Sequence, residues 1–303
     1  MPKARRVALQ LMWTALLAGA AHAQQPAAPM APAAALPAAK RLAPDVYWLP
    51  GAISNSGFVI GDKGVVAIDA QIFLPLAKAE LAEIATLTPK PVDAIILTHS
   101  DPDHINGLPA FPRGMTIIAQ DNAKAEIELA IADPKSNGMP PPAGMKDYLP
   151  THTVSAREDL TLDGVPMVVI HTAPAHTDGD LIVYLPKSRV VFAGDLLTPA
   201  IGDYPGIHLN KHGSSLGWAA SIRAMLALDA DIFVSGHGDP LTRAQVRERL
   251  DLAMRRRTEI KALVDKKMTL AEIKAALHDA PLPGPASRFP TFIETTYQEL
   301  TTK

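Results

Sequence analysis

The chain contains no cysteine, and this absence restricts both its stabilisation and its chemistry. It excludes disulfides, thiolate ligands for a metal and a lipidated N-terminal cysteine of the lipoprotein kind. An excess of charge of one sign is also missing, because 29 Lys and Arg residues stand against 31 Asp and Glu residues. A nearly neutral chain gives no electrostatic reason to expect nucleic acid or an anionic membrane surface as a partner. We therefore expect a small-molecule substrate and no nucleic acid.

Long apolar runs are confined to the N-terminus. A basic start, "MPKARR", precedes fifteen mostly apolar residues, "VALQLMWTALLAGAA", and the small-residue sequence "AHA" ends at Ala23. This pattern is typical of a cleavable secretory signal peptide and is too short for a membrane span. The alternative is a buried N-terminal helix. No later stretch is apolar enough to predict a membrane span, so we expect a periplasmic or secreted protein that is cut after Ala23.

Residues 24–40 follow the predicted signal peptide and consist almost entirely of Ala, Pro and Gln. A stretch of this composition predicts an unfolded spacer. We place the folded domain at residues 41–303, with a helical extension at its C-terminus. No internal repeat is evident in it.

Short β-type runs alternate with helical patterns throughout this domain. The helices are predicted at residues 74–87, at 121–132 with Asp121 as the N-cap, at 215–229 and from Thr242 to Met268. Apolar strands precede or separate them, and these two sets of elements are similar in form. The pattern predicts two packed sheets with helices outside, in a single layered α/β domain.

Four loops follow apolar strands, and each carries side chains that bind metals. A lone histidine of this kind is more often structural, but four strand-end groups made only of His and Asp are difficult to assign to core packing. Together they predict a metal site. The candidate ligands are His99, Asp101, Asp103 and His104, then His176, then Asp195, then His237.

Imidazole and carboxylate groups bind divalent first-row metal ions, and seven such ligands divide naturally over two ions. The division gives one ion to His99, Asp101 and His176, the other to Asp103, His104 and His237, and leaves Asp195 as the bridge. Two ions about 3.5–4 Å apart share a hydroxide and polarise a carbonyl or phosphoryl oxygen beside it. The pattern therefore predicts a hydrolase without a protein nucleophile, in which Asp103 is also a candidate proton shuttle.

In their order and strand contexts, these loops resemble the motifs of the metallo-β-lactamase superfamily, from about Val46 to about Pro240. The family's HxHxDH loop corresponds to residues 99–104, here in the variant form HxDxDH. The resemblance implies a four-layer αββα sandwich with a binuclear site at one edge. The remaining matches are His176 with Thr177, Gly194 with Asp195, and His237 in "GHG".

The same resemblance implies that Asp69 and Thr177 do not bind the metal themselves but support the residues that do. The alternative for Asp69, which ends "VVAIDA", is a simple turn residue. At the bridging position, Asp195 is similar to the glyoxalase II and lactonase branches, whereas many β-lactamases have cysteine there. Ile105 stands where another lactamase branch has a further histidine. We therefore expect an ester, lactone, thioester or amide as substrate, with β-lactamase activity as an alternative.

Asp101 departs from the family pattern, which has an imidazole at this position. A carboxylate is charged and harder, so it makes the first ion a weaker Lewis acid and shifts its preference from zinc toward iron or manganese. The flavodiiron branch carries a glutamate here and uses iron. We expect two divalent ions, zinc first and iron or manganese as the alternative. Asp101 either binds the first ion or misses it and leaves that site weak or empty.

An iron-dependent redox enzyme and a non-catalytic metal-binding relative therefore stand beside the hydrolase as alternatives. The loops at residues 133–150 and 200–213 are expected to line the pocket. Within the second loop, His208 and His212 are candidates to orient substrate or donate a proton, or are plain surface residues. The sequence indicates neither the substrate nor the oligomeric state.

Overall fold

A computed structural model describes residues 37–198, 204–279 and 290–302. The predicted signal peptide and most of the predicted spacer lie outside these residues. The first strand, β1 (Lys40–Ala43), begins one residue before the expected domain start. No helix among the described residues is long and apolar enough to cross a membrane.

The first sheet contains seven strands that pair in chain order. The pairs from β1 to β4 are antiparallel, and those from β4 to β7 are parallel. Helices α1 (Leu74–Leu87) and α3 (Asp121–Ala132) connect parallel strands, as parallel pairing requires. After β1, the strands are β2 (Val46–Leu49), β3 (Ser56–Ile60), β4 (Val65–Ile68), β5 (Val92–Ile96), β6 (Thr116–Gln120) and β7 (His152–Val154).

The second sheet contains six strands in the order β13-β12-β11-β10-β9-β8. Its parallel pair, β11 with β12, is connected through helix α4 (Ser215–Ala227). The strands are β8 (Arg157–Leu162), β9 (Val165–Ile170), β10 (Ile182–Leu185), β11 (Val190–Phe192), β12 (Ile232–Val234) and β13 (Leu241–Thr242). The remaining helices are the short α2 (Pro102–Ile105), α5 (Arg243–Asp265), α6 (Leu270–Ala276) and α7 (Phe292–Thr301).

Strand β4 shows how the layers are held together. Val65 and Ala67 belong to the apolar cluster that contains residues of α1 and α3, whereas Val66 and Ile68 belong to the cluster between the two sheets. Successive side chains of a strand point to opposite faces, so a continuous apolar run is buried on both. A third cluster joins the second sheet to α4 and α5. The predicted αββα sandwich is confirmed.

The helix boundaries correct two details of the prediction. The side chain of Gln120, not Asp121, accepts the hydrogen bond that caps α3, from the backbone N–H of Asn122. Asp121 lies in the first turn and accepts a hydrogen bond from Ser155 instead. Thr242 is the N-cap of α5, in a capping box with Gln245. Helix α5 ends at Asp265, three residues before the predicted Met268.

Parallel pairing brings the functional loops to one edge of each sheet. Strands β4 and β5 run parallel, so their carboxyl ends, followed by Asp69 and His99, lie side by side. Strands β11 and β12 are parallel in the same way, and Asp195 and His237 follow them. The Asn55 N–H, from the first sheet's β2–β3 loop, donates to the carbonyl of Gly236 beside His237. The four strand-end loops therefore meet at one end of the sandwich.

Helix α1 buries a carboxyl group beneath this end of the molecule. Glu80 is fully buried, and neither of its carboxyl oxygens has a hydrogen-bond partner among the described residues. Burial raises the pKa of this carboxyl well above its usual range, and the nearby Asp69 carboxylate acts in the same direction. The folded protein therefore binds this proton more tightly than the unfolded chain does. Stability should then fall as the pH rises above about 4.3, the ordinary pKa of a glutamate.

Replacing Glu80 by Gln should remove this contribution to the pH dependence of stability. We expect the free energy of unfolding of Glu80→Gln, from urea titrations between about pH 4.5 and 8, to decline less with pH than that of the wild type. It should also exceed the wild-type value at neutral pH. Glu128→Gln, which changes an exposed glutamate of α3, serves as the control. Parallel pH profiles for wild type and Glu80→Gln would contradict this account.

Candidate metal centre

The seven predicted ligands converge, and His208 joins them. They form three groups in which one candidate ligand atom from each residue lies within 4.8 Å of the others. The groups are His99 with His176 and Asp195, Asp101 with His176 and His208, and Asp103 with His104 and His237.

Four of these side chains surround one position, near the start of α2. His237 Nε2 lies 3.2 Å from Asp103 Oδ2 and 3.4 Å from Asp195 Oδ2. His104 Nε2 lies 3.6 Å from Asp103 Oδ2 and 3.3 Å from Asp195 Oδ1. A tetrahedral ion with bonds of about 2.0–2.1 Å separates its ligand atoms by roughly 3.3 Å. The spacing of these four side chains therefore fits one ion.

The neighbouring position has similar spacing. Asp101 Oδ2 lies 3.6 Å from His99 Nε2 and 3.3 Å from His176 Nε2. His176 Nε2 also lies 3.8 Å from Asp195 Oδ2. Asp195 thus faces both positions, because its Oδ1 is near His104 while its Oδ2 is near His176 and His237. This geometry suits a bridging carboxylate.

Three of the histidines use Nδ1 for a hydrogen bond to the protein and turn Nε2 toward the site. His104 Nδ1 bonds to Asp69 at 2.8 Å, His176 Nδ1 to the carbonyl of Gly206 at 3.0 Å, and His237 Nδ1 to the carbonyl of Ile53 at 2.6 Å. An ionised carboxylate or a carbonyl oxygen only accepts, so each Nδ1 carries the hydrogen. Nε2 is therefore the nitrogen that faces the centre of the site, where a metal ion would bind in place of its proton.

The surroundings of two Nε2 atoms indicate whether the site suits a metal ion. His99 Nε2 and His104 Nε2 are buried and have no hydrogen-bonding partner among the described residues. Buried polar atoms are normally paired, and an imidazole nitrogen without a partner that points toward carboxylates is typical of a metal ligand. The residues present therefore fit a divalent cation.

Asp69 lies behind the site, as the resemblance implied, and orients His104. Its Oδ1 accepts a hydrogen bond from the Thr98 N–H at 2.8 Å, and its Oδ2 accepts from Thr98 Oγ1 and from His104 Nδ1, both at 2.8 Å. The backbone of Asp69 has a φ of 61°, in the left-handed region. That conformation is uncommon outside glycine, although Asp and Asn adopt it most readily among the other residues.

Thr177 supports the loop after His176 rather than the ring itself. Its hydroxyl donates to Asp180 Oδ1 at 2.7 Å, and its backbone N–H donates to the same carboxylate. This closes a tight, buried turn that fixes the direction in which His176 leaves the chain. Thr177 therefore contacts no candidate ligand atom directly, but it orients the segment that carries one.

The site has a strong negative field. Burial disfavours the charge on Asp195, but the imidazoles of His237 and His104 outweigh it and hold the pKa of this carboxyl well below its usual range. Burial also acts to lower the pKa of the histidines, yet the carboxylates reverse this effect. The pKa of His176 rises to about 9 and that of His237 to about 10. Groups arranged in this way attract cations.

Asp101 reaches the candidate ligand atoms despite its short side chain. Its Oδ2 faces the imidazoles, and its Oδ1 lies 2.5 Å from the ammonium of Lys211. Burial acts against the charge of Asp101, but His99 and Lys211 outweigh it and hold the pKa of the carboxyl well below its usual range. Sequence reasoning missed Lys211. The only sign of it was one lysine between His208 and His212, in a loop already expected to line the pocket.

The two candidate substrate histidines have different positions. His208 Nδ1 lies 3.3 Å from Asp101 Oδ2, and its ring is 4.3 Å from that of His176. Burial, then the charge of His176, lower the pKa of His208 to about 4, so its ring is neutral at neutral pH. His212 is exposed, in a left-handed turn with a φ of 57°, and belongs to none of the three groups.

Replacing Asp69 by Asn should weaken the ion position that contains His104. The amide has one acceptor oxygen in place of two, so His104 or Thr98 loses its acceptor. We expect the metal affinity of that position to fall roughly 10- to 100-fold in Asp69→Asn, measured by competition with a chelator. Asp45→Asn is a matched control, because Asp45 also has a positive φ, of 60°, but is exposed in a turn. Equal affinities in the two variants would show that Asp69 does not support the site.

Known proteins share this fold and parts of this sequence. A linear primary-alkylsulfatase from a Pseudomonas species is 26% identical over 214 residues, which are 59% of this chain and 40% of the relative. The alpha subunit of a 2,4-dinitroanisole O-demethylase from a Nocardioides species is 27% identical over 203 residues, 66% of this chain and 57% of the relative. The chain thus spans about half the length of these relatives.

A solved structure, of a stereoselective inverting sec-alkylsulfatase from a Pseudomonas species, superimposes with a TM-score of 0.68. It is 20% identical and covers 87% of this chain and 50% of the other, so it supports the fold. The family model of the metallo-β-lactamase superfamily matches residues 49–237. Because that match spans more than half of the sequence and includes every predicted ligand, the chain belongs to the metallo-β-lactamase superfamily.

Proposed function

We propose that the protein is a metal-dependent hydrolase with two metal positions that cleaves an ester-type bond in a small molecule. The observation that carries this proposal is the carboxylate of Asp195, whose two oxygens face two neighbouring groups of ligands. One position would be held by His99, Asp101 and His176, the other by Asp103, His104 and His237. When bound, the ions would polarise an oxygen of the substrate and activate water for attack.

Protein side chains would handle the proton and the substrate. The side chain of Asp103 is 21% exposed, about twice the exposure of Asp101 or Asp195. It can therefore exchange a proton with solvent while its Oδ2 remains beside His237, which suits the proposed proton shuttle. His208 stays neutral at neutral pH and lines the position near Asp101, where a substrate oxygen would approach. His212 is less suited to substrate contact, because it is exposed and lies outside the three groups.

The substrate class is proposed more broadly than a single bond type. Carboxylic esters, lactones, thioesters and amides all place an oxygen for polarisation beside the bond that breaks, and sulfate esters join them because two relatives are alkylsulfatases. A β-lactam is the second candidate, favoured by a 24% identical type 2 metallo-β-lactamase from Bacillus cereus. The complete convergence of all seven ligands argues against a non-catalytic relative. The proposed export from the cytoplasm rests on the N-terminal sequence.

A substrate panel tests the proposal. Hydrolysis of a p-nitrophenyl carboxylic ester, an aliphatic lactone, a medium-chain alkyl sulfate and a chromogenic cephalosporin would be followed with the purified protein. Activity on at least one is expected, lost on removal of metal by a chelator and recovered on return of the ion. Asp195→Ala should lower the rate more than about 100-fold, since even residues that only support metal ligands cost 10- to 100-fold. The circular dichroism spectrum of Asp195→Ala should show that this variant remains folded.

Asp159→Ala provides the matched control, because that carboxylate lies on β8 and its side chain is 73% exposed. It should turn over substrate at the wild-type rate. Turnover by Asp195→Ala at the same rate as Asp159→Ala would overturn the two-metal proposal. Activity that survives the chelator would overturn the requirement for metal.

A further inference from the structure

Lys211 is a buried cation inside the candidate metal centre. It ends a short turn, Leu209–Lys211, and only 8% of the residue is exposed. Its Nζ lies 2.5 Å from Asp101 Oδ1, 3.2 Å from Ser100 Oγ and 3.7 Å from Glu126 Oε2. A cation placed beside two metal positions repels the ions they bind, so its burial there requires a reason.

Partners within the protein hold the ammonium, which argues against a role in binding substrate. It donates hydrogen bonds to Asp101 Oδ1 and Ser100 Oγ, and the Glu126 carboxylate lies at an ion-pair distance of 3.7 Å. A substrate anion would have to displace a partner at 2.5 Å in a buried site. Breaking a buried ion pair is strongly destabilising, because an uncompensated charge is left behind.

Because of Lys211, the two oxygens of Asp101 make different contacts. Oδ1 is held by the ammonium, whereas Oδ2 lies 3.3 Å from both His176 Nε2 and His208 Nδ1. The carboxylate is therefore fixed in rotation, with one oxygen facing the ion position. An aspartate without this partner would be free to turn or to chelate with both oxygens.

The contact between Asp101 and Lys211 also changes the net charge at the first ion position. A carboxylate in place of the family's imidazole adds one negative charge to the first ion position, which was one of two reasons, with the harder oxygen donor, to expect iron or manganese. The ammonium of Lys211 adds one positive charge next to it. Asp101 and Lys211 together are then neutral, like the imidazole that they replace. The electrostatic reason for a weaker Lewis acid at this position is therefore reduced, with Glu126 sharing the charge of the same ammonium at 3.7 Å.

We propose that Lys211 is a positioning residue which fixes Asp101 as a one-oxygen ligand and cancels its charge, so that the Asp101–Lys211 pair replaces a neutral histidine at the first ion position. The inference rests on the proposed two-metal function. It follows that the charge of Asp101 no longer disfavours zinc at the first position, and only the harder oxygen donor still favours iron or manganese. It also follows that Asp101 and Lys211 can be exchanged for neutral residues only together.

The test is a set of three variants: Lys211→Met, Asp101→His and the double variant. Zinc content and the affinity of each ion are measured by elemental analysis and chelator competition. Lys211→Met should weaken one of the two ions roughly 10- to 100-fold, because Asp101 loses its fixed orientation. Asp101→His should also weaken it, because Lys211 then lacks its partner at 2.5 Å and repels the ion. The other ion should bind normally in both.

The double variant decides the test, because the effect of Lys211→Met on ion affinity should change sign in it. Adding Lys211→Met to Asp101→His should raise the affinity for the weakened ion at least about tenfold, although the same substitution lowers it in the wild type. Lys135→Met, an exposed lysine in the loop after α3, is the control and should change nothing. Wild-type affinity for both ions in Lys211→Met, or a double variant no better than Asp101→His, would overturn the proposal.

Melting temperatures, measured with and without chelator, separate this inference from the proposed function. Lys211→Met should melt roughly 5–15 °C below the wild type even with chelator, since it leaves Asp101 buried without its partner. The double variant should lose less than the sum of the two single losses. Additive losses would overturn the pairing whatever the metal content. A wild-type protein that binds no metal but shows coupled losses would overturn the proposed function and the ligand role of Asp101 while leaving the ion pair.

Discussion

The concentration of carboxylates at one end of the sandwich is the constraint on which the rest of this site depends. Asp69, Asp101 and Asp195 are buried there within reach of one another's partners, and Asp103 is only partly exposed. Buried carboxylates of this density are sustained only by compensating positive charge or by hydrogen-bond donors. Ring N–H groups, the Thr98 N–H and hydroxyl, and the Lys211 ammonium supply part of this compensation. In the proposed function, a pair of divalent cations supplies the remainder.

This constraint explains why the ligands are fixed from outside the site. Each of the three histidines His104, His176 and His237 gives its Nδ1 hydrogen to an acceptor in a different part of the chain, as far away as Ile53. The rings are therefore oriented before any ion arrives, and the orientation of His237 depends on a contact between the two halves of the sandwich. The fold contributes rigidity, whereas the loops contribute the chemistry.

The fold and the convergence of the candidate ligands could be predicted from the sequence for reasons that are local. An apolar strand that ends in His or Asp marks a strand-end loop, and four such loops in family order define the edge where they meet. The N-cap of α3 was assigned one residue too late, because both Gln120 and Asp121 have an acceptor side chain and only the backbone geometry distinguishes them. The spacing of apolar residues predicted that a helix forms here, but it did not identify the residue at which the helix begins.

Lys211 illustrates what local reasoning cannot supply. It pairs with a carboxylate 110 positions earlier in the chain, so no spacing or periodicity connects the two. Likewise, His208 and His212 are four residues apart in one loop, yet only His208 turns toward the site, because the chain reverses at the left-handed turn of His212. The negative charge of Asp101 was expected from the sequence, but the positive charge of Lys211 beside it was not.

The central claim, that Asp195 lies between two metal ions, is tested most directly by anomalous X-ray scattering. Crystals of the protein, purified without chelator, would be measured on both sides of the absorption edges of zinc, iron and manganese. The account predicts two anomalous peaks about 3.5–4 Å apart, one on each side of the Asp195 carboxylate. A single peak, or none, would contradict it.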